Sequence, residues 1–176
     1  MSGADDALLR RVQALEAERD IAQLMATYSR LVDSDPDADA IAALFTHDAV
    51  YETFGYLGRE RGADGPITGR EAIRATFRAL PEMLPFTAHF LCNPQITVDG
   101  STGRGRWLAL ELANAVHDDG RVPLVLVAQY DNDFVLQDDT WRIQRIRFGD
   151  LRAFRYDEGF ATSRYVSMYD LHVVRD

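Results

Sequence analysis

The sequence predicts a single α+β domain, and three observations predict it. Apolar residues recur at helical spacing through the opening segments. Turn clusters at regular intervals divide the second half into long β-rich stretches, and no linker, repeat or low-complexity segment interrupts the chain. A length of 176 residues fits one domain of ordinary size. Such a chain buries about two-thirds of its unfolded surface and needs no staples.

The first helix is expected over Asp5 to Val32. Leu8, Val12, Leu15, Ile21, Leu24, Met25, Tyr28, Leu31 and Val32 form one apolar stripe there. It ends at Asp33-Ser34-Asp35-Pro36, because proline disfavours helix in the residue before it. A short helix from about Asp37 to Phe45 follows, with Asp37 and Asp39 suited to its N-terminus. Ala49 to Phe54 reads as a strand, and the glycine-rich stretch Gly55 to Gly69 as a loop or loose hairpin. A third helix runs from Arg70 to Leu80, facing Ile73 and Phe77 inward, with Pro81 and Pro85 bracketing its exit. Four strands complete the domain: Thr87 to Val98, Arg104 to Val116, Val122 to Leu136 and Trp141 to Phe154. The turns between them are Asp99 to Gly103, Asp118-Asp119-Gly120 and Gln137-Asp138-Asp139, which implies an antiparallel meander. Residues 1–154 form the domain and residues 155–176 an arm or lid that closes the pocket or crosses to a neighbouring subunit.

Composition narrows the function. Apolar residues make up 47% and charged residues 27%, a globular balance. The formal charge of −9 repels phosphate backbones, so nucleic acid is not an expected partner. One cysteine, Cys92, leaves no disulfide framework and no cysteine-rich zinc site. Neither a membrane span nor a signal peptide is expected, and the expected location is the cytoplasm. His47, Asp48, His117 and His172 lack ligand spacing, so no metal is expected. No glycine-rich phosphate loop, nucleophile elbow or Cys/His motif occurs, and no cofactor is implied.

Four segments carry a resemblance to a known family: "ERDIAQLMATYSRLVDSDPDADAIAALFTHDAVYE", "ITGREAIRATF", "HFLCNPQITVDGSTGRGRWLALEL" and "AQYDNDFVLQDDTWRIQRIR". In this order they resemble the SnoaL-like branch of the NTF2-like superfamily, from Glu18 to Arg147. The resemblance implies a cone-shaped barrel, a strongly bent antiparallel sheet wrapped around about three N-terminal helices, with an apolar pocket between them. Enzymes of the scytalone dehydratase, bile acid 7α-dehydratase and hexachlorocyclohexane dehydrochlorinase kind share an Asp/His pair. Asp33 and His89 stand at those places, and Tyr28 matches a tyrosine five residues before the aspartate. Glu111 is the nearest match to an acidic residue on the following strand. Arg145 and Arg147 bracket a recurring arginine.

The residues allow that chemistry. An imidazole near neutrality is a useful general base when a carboxylate holds its tautomer. The plain alternative makes Asp33 a loop residue and His89 a satisfied core histidine. Tyr28 is either a proton donor or a core tyrosine with its hydroxyl at the cavity edge. Strand alternation puts Trp107, Ala109, Glu111 and Ala113 on one face, opposite Leu108, Leu110 and Leu112. Glu111 then needs a cavity or an ion pair, with Arg145 a possible partner. Alternation also groups Trp141 and Ile143 with Arg145 and Arg147, which would aim the arginines at the cavity mouth. Tyr51, Phe54, Tyr56, Phe86 and Phe90 add aromatic surface near the pocket, favouring a flat or cyclic ligand.

The expected function is a cofactor-independent lyase of the dehydratase or elimination type, acting on a small cyclic or aromatic molecule, phenols included. His89, Asp33 and Tyr28 would be catalytic, and Tyr51, Trp107, Glu111, Arg145 and Arg147 would bind substrate. Two alternatives stand beside it. One is an isomerase or polyketide-type cyclase using the same groups. The other is a non-catalytic binding or assembly module like the β-subunits of ring-hydroxylating dioxygenases. A homo-oligomer, dimer or trimer, is expected because Leu108, Leu110 and Leu112 need cover.

Overall fold

The computed structural model describes residues 3–34, 36–52, 66–117 and 120–159. In chain order the elements are α1 (Gly3–Ser34), α2 (Ala38–Ala43), β1 (Phe45–Glu52), β2 (Ile67–Thr68), α3 (Arg70–Met83), β3 (Phe86–Asp99), β4 (Thr102–His117), β5 (Gly120–Gln137) and β6 (Thr140–Arg155). Phe54, Tyr56 and His172 lie outside the described residues, as does the expected arm beyond Gly159.

Local chemistry sets the boundaries. The Asp37 carboxylate accepts from the backbone N–H of Asp39 and Ala40 at 2.9 and 3.1 Å, so α2 begins at Ala38. It ends before Phe45, earlier than periodicity implied, because Phe45 is wholly buried and pairs with Ile143 in the sheet. The loop expected up to Gly69 contains β2, which pairs with β1. α3 continues through Pro81 to Met83, since a proline near the end removes one ladder bond while Leu84 N–H still closes onto Leu80 C=O at 2.8 Å. Asp138 and Asp139 both adopt positive φ, 48° and 55°, as a two-residue hairpin turn between β5 and β6 requires.

The six strands form one curled, unclosed sheet in the order β2-β1-β6-β5-β4-β3. The expected meander β3–β6 is antiparallel throughout, but β1 runs parallel to β6. Parallel neighbours need a long crossover, and the chain from α3 to β5 supplies it. Register shifts in β3 and β6 bend the strands, as bulges do.

The core lies between the concave face and the helices. Ile21, Met25, Tyr28 and Val32 of α1 and Ile73, Phe77 and Leu80 of α3 share one buried cluster with Trp107, Ala109, Ala113 and Ala115 of β4. Two glycines in β4 permit this closeness. A Cβ at Gly103 would sit 2.6 Å from the Ile21 side chain, and one at Gly105 would sit 2.3 Å from the Trp107 ring. Phe86 and Phe90, expected near the pocket, face the other way and are 49% and 51% exposed. Thr87 and His89 take the inward positions, and alternation sends their neighbours out. Leu108 and Leu110 share that outer surface at 45% and 40% exposure.

Gly105→Ala is expected to push the Trp107 indole off β4 and destabilise the domain by about 1–3 kcal/mol, the usual cost of overpacking. Urea unfolding followed by tryptophan fluorescence checks this, and an unchanged midpoint would refute the close packing.

Candidate active site

Asp33 occupies the last turn of α1, where a negative charge meets the negative end of the helix dipole and no basic residue offsets it. Its compensation comes from β3. The carboxylate accepts the Thr87 hydroxyl at 2.9 Å, the His89 backbone N–H at 2.7 Å and the His89 ring Nδ1 at 2.6 Å. Burial pushes Asp33 up, but these donors and the His89 charge outweigh it and hold its pKa below the ordinary carboxylate range. An ionised carboxylate only accepts, so the ring proton sits on Nδ1 and Nε2 is left as the basic nitrogen.

Register places Glu111 directly across from His89 on β4. Glu111 Oε2 lies 3.4 Å from His89 Nε2, in contact but longer than the about 2.7–2.9 Å of a tight charge-assisted bond. Burial lowers the His89 pKa, yet the Asp33 bond and the Glu111 and Asp33 charges reverse that and raise it. Burial raises Glu111, His89 lowers it and Asp33 raises it, and the balance is upward. The imidazole is thus gripped by the Asp33 carboxylate on one side and faced on the other by the Glu111 carboxylate, whose pKa burial raises.

Tyr28 and Tyr51 meet hydroxyl to hydroxyl at 3.0 Å beneath this group. Their rings pack edge-on with Phe45, Phe77 and Phe148 at centroid distances of 5.6–6.3 Å, which fills the centre of the concave face. Burial raises both tyrosine pKa values, so each hydroxyl keeps its proton. Among the described residues, open space lies beside the dyad. It is a cleft of about 460 Å³ between α1 and β3–β4, within the range of ligand sites. One wall is Ala22, Met25, Ala26, Ser29, Arg30 and Asp33, and the other is His89, Leu91, Pro94 and Trp107. A bulge at Asn93-Pro94, with Asn93 at φ 52°, bends β3 over this cleft.

Asp33, His89 and Glu111 therefore come together, with Trp107 beside the dyad in the cleft wall and Tyr28 and Tyr51 below. Arg145 and Arg147 do not join them. Ile143 pairs with Phe134 and Arg145 with Asp133, so β6 carries one extra residue, Gln144. That bulge breaks the alternation: Trp141, Ile143 and Ile146 are buried, while Arg145 and Arg147 turn to the other face. There Arg145 Nε meets Asp133 at 2.8 Å and Arg147 Nε meets Glu52 at 2.6 Å. Arg145 is accordingly not the partner of Glu111.

Thr87, Ser29, Arg30 and Tyr130 join the site beyond the residues expected from the sequence. Thr87 lies two residues before His89 on the same strand face, and Ser29 and Arg30 lie one helical turn before Asp33, so both spacings were visible. Tyr130 is buried with its hydroxyl unpaired among the described residues, and the Tyr51 and Glu111 charges reinforce what burial does to its pKa.

The family model described as SnoaL-like domain matches residues 13–147. A candidate aromatic ring hydroxylase from Novosphingobium aromaticivorans is 26% identical, with a TM-score of 0.66 over 79% of this chain and 94% of that one. A candidate scytalone dehydratase from the same organism is 22% identical, TM-score 0.65, covering 87% and 95%. A type 2 hexachlorocyclohexane dehydrochlorinase is 20% identical, TM-score 0.65, covering 81% and 91%. The architecture is the NTF2-like one with a cystatin-like fold. No match was found among curated proteins. No helix among the described residues is long and apolar enough to cross a membrane.

Two outcomes follow from the charges around His89. Glu111→Gln removes a charge that raises His89, so the ring pKa measured by NMR should fall, and an unchanged value would refute the contact. His89, raised in the folded state, stabilises fully below its unfolded value of about 6.5 and less as pH climbs through its folded value. Asp33, lowered, stabilises above about 3.9 and less as pH falls through its folded value. The stability lost on His89→Ala, measured by urea unfolding, should therefore be greatest between about pH 4 and 6.5 and shrink at higher pH.

Proposed function

Because the chain belongs to the SnoaL-like domain family, we propose that it is a cofactor-independent lyase acting by general acid–base catalysis on a small cyclic or aromatic molecule. The observation that carries this reading is the 2.6 Å contact between Asp33 and His89 Nδ1, which leaves Nε2 as the basic nitrogen beside Glu111. Among the similar structures, the scytalone dehydratase and dehydrochlorinase names both denote eliminations.

In the proposed step, His89 Nε2 takes a proton from a carbon next to a carbonyl, or from a phenol. The electron pair released forms the new double bond, and the bond to a neighbouring hydroxyl breaks. That hydroxyl leaves as water, so a second proton must reach it. Tyr28 is a poor source, because its hydroxyl is held far above its ordinary pKa. Glu111, pushed up toward its neutral form, is better matched to the task. Tyr28 and Tyr51 then serve as hydrogen-bond donors, and Asp33 keeps the imidazole oriented and stabilises its charged form.

Cyclic β-hydroxy ketones and hydroxybenzyl alcohols, followed by the absorbance of the conjugated product, test the reaction. His89→Ala should lower turnover by about 10²–10⁴-fold. Full activity in that variant would sink the mechanism. Solvent deuterium entering recovered substrate without water loss would instead indicate an isomerase built on the same groups.

A second reading, a non-catalytic assembly module, is favoured by the exposed apolar strip of Phe86, Phe90, Leu108, Leu110 and Val116 on the outer face. It predicts no turnover and no exchange in any substrate class above.

A further inference from the structure

The cleft beside the dyad holds two polar groups that the proposed reaction does not use, Ser29 and Arg30. Ser29 is 8% exposed, and its hydroxyl is buried without a hydrogen-bond partner among the described residues. A buried polar group left unpaired costs about 1–3 kcal/mol, and helical serines ordinarily avoid that by bonding back to their own helix. Ser29 does not, yet it lines the cleft.

Arg30 is exposed at the edge of the same wall. Among the described residues it has no ion-pair partner, whereas Arg104 and Arg145 of the sheet, for example, are paired with carboxylates. In a chain of net charge −9, a free guanidinium over a ligand-sized space is a point of attraction for an anion. Its place on the helix sets the geometry. Arg30 precedes Asp33 by three residues, so their Cβ atoms are about 5–6 Å apart on one side of α1. Arg30 and His89 line the same cleft.

The rest of the cleft suits a ring. Ala22 and Ala26, one turn apart, leave width on the helix wall. Trp107 forms the opposite wall, the far edge of its indole over Gly105 and its ring braced edge-on by Phe134 at 6.1 Å.

We infer that the cleft selects a flat cyclic molecule carrying a carboxylate, with the carboxylate on Arg30, the ring against Trp107 and a polar substituent on the Ser29 hydroxyl. Arg30 is thus a specificity-determining residue. This rests on the reading of the dyad as a reaction centre and names the substrate class it serves.

Binding of naphthalene-2-carboxylate and naphthalene-2-carboxamide, measured by calorimetry at low salt, tests it without needing turnover. The carboxylate should bind about fivefold tighter, the scale of an exposed ion pair. That preference should vanish in Arg30→Gln and shrink at high salt, while the carboxamide binds both proteins alike. Ser29→Ala should weaken both ligands. Equal affinity for the two, a preference that survives Arg30→Gln, or binding of neither would overturn the inference. Failure of the reaction reading is separate: carboxylate preference with undiminished turnover in His89→Ala would refute the mechanism and leave Arg30 in place.

Discussion

The Asp33 carboxylate holds the site together. It stands at the wrong end of a helix for its charge, and it is stable there because β3 turns three donors toward it. The same bonds dock the end of the long first helix onto the edge strand of the sheet. They also fix the proton on one nitrogen of His89. Docking and tautomer choice are therefore a single event, and a change that loosens the helix end also blurs the chemistry of the imidazole. Glu111 completes the arrangement from the next strand by simple cross-strand pairing.

The sheet separates two kinds of surface by alternation alone. On β4 the inward positions are Gly105, Trp107, Ala109, Glu111, Ala113 and Ala115, small except where the cleft needs a plate or a carboxylate. Their neighbours Leu108 and Leu110 stay half-exposed on the back. Small inward residues bring α1 close, and aromatic rings from α1, α3, β1 and β6 fill the centre. Among the described residues, the cleft lies toward the edge strand, where the Asn93-Pro94 bulge and the alanines of α1 leave room.

Much of this was legible in the residue pattern. The long strands were bounded by turn residues whose chemistry is local, and each ends within about two residues of its expected limits. Asp33 and His89 were legible through a family pattern rather than through periodicity, since nothing in spacing alone joins residues 56 positions apart. The cross-strand match of His89 with Glu111 depends on the β3–β4 register, which the Asp99 to Gly103 turn sets. What stayed hidden was non-local. The parallel pairing of β1 with β6 depends on where a crossover lands, and the filling of the cone depends on rings from four elements meeting. Local periodicity carries the short helix through Phe45, whose strand partner, Ile143, is nearly a hundred residues away.

The single extra residue at Gln144 has a consequence for how related chains are compared. Strand residues are ordinarily matched column by column, and an arginine in a shared column is credited with a shared role. Here one inserted residue reverses which side of the sheet the next few positions occupy, so that Arg145 and Arg147 belong to a surface ion cluster rather than to the interior. A relative without the insertion would present arginines at the same columns to the opposite side. For this strand, the position of the gap in an alignment carries more functional information than the identity of the residues on either side of it.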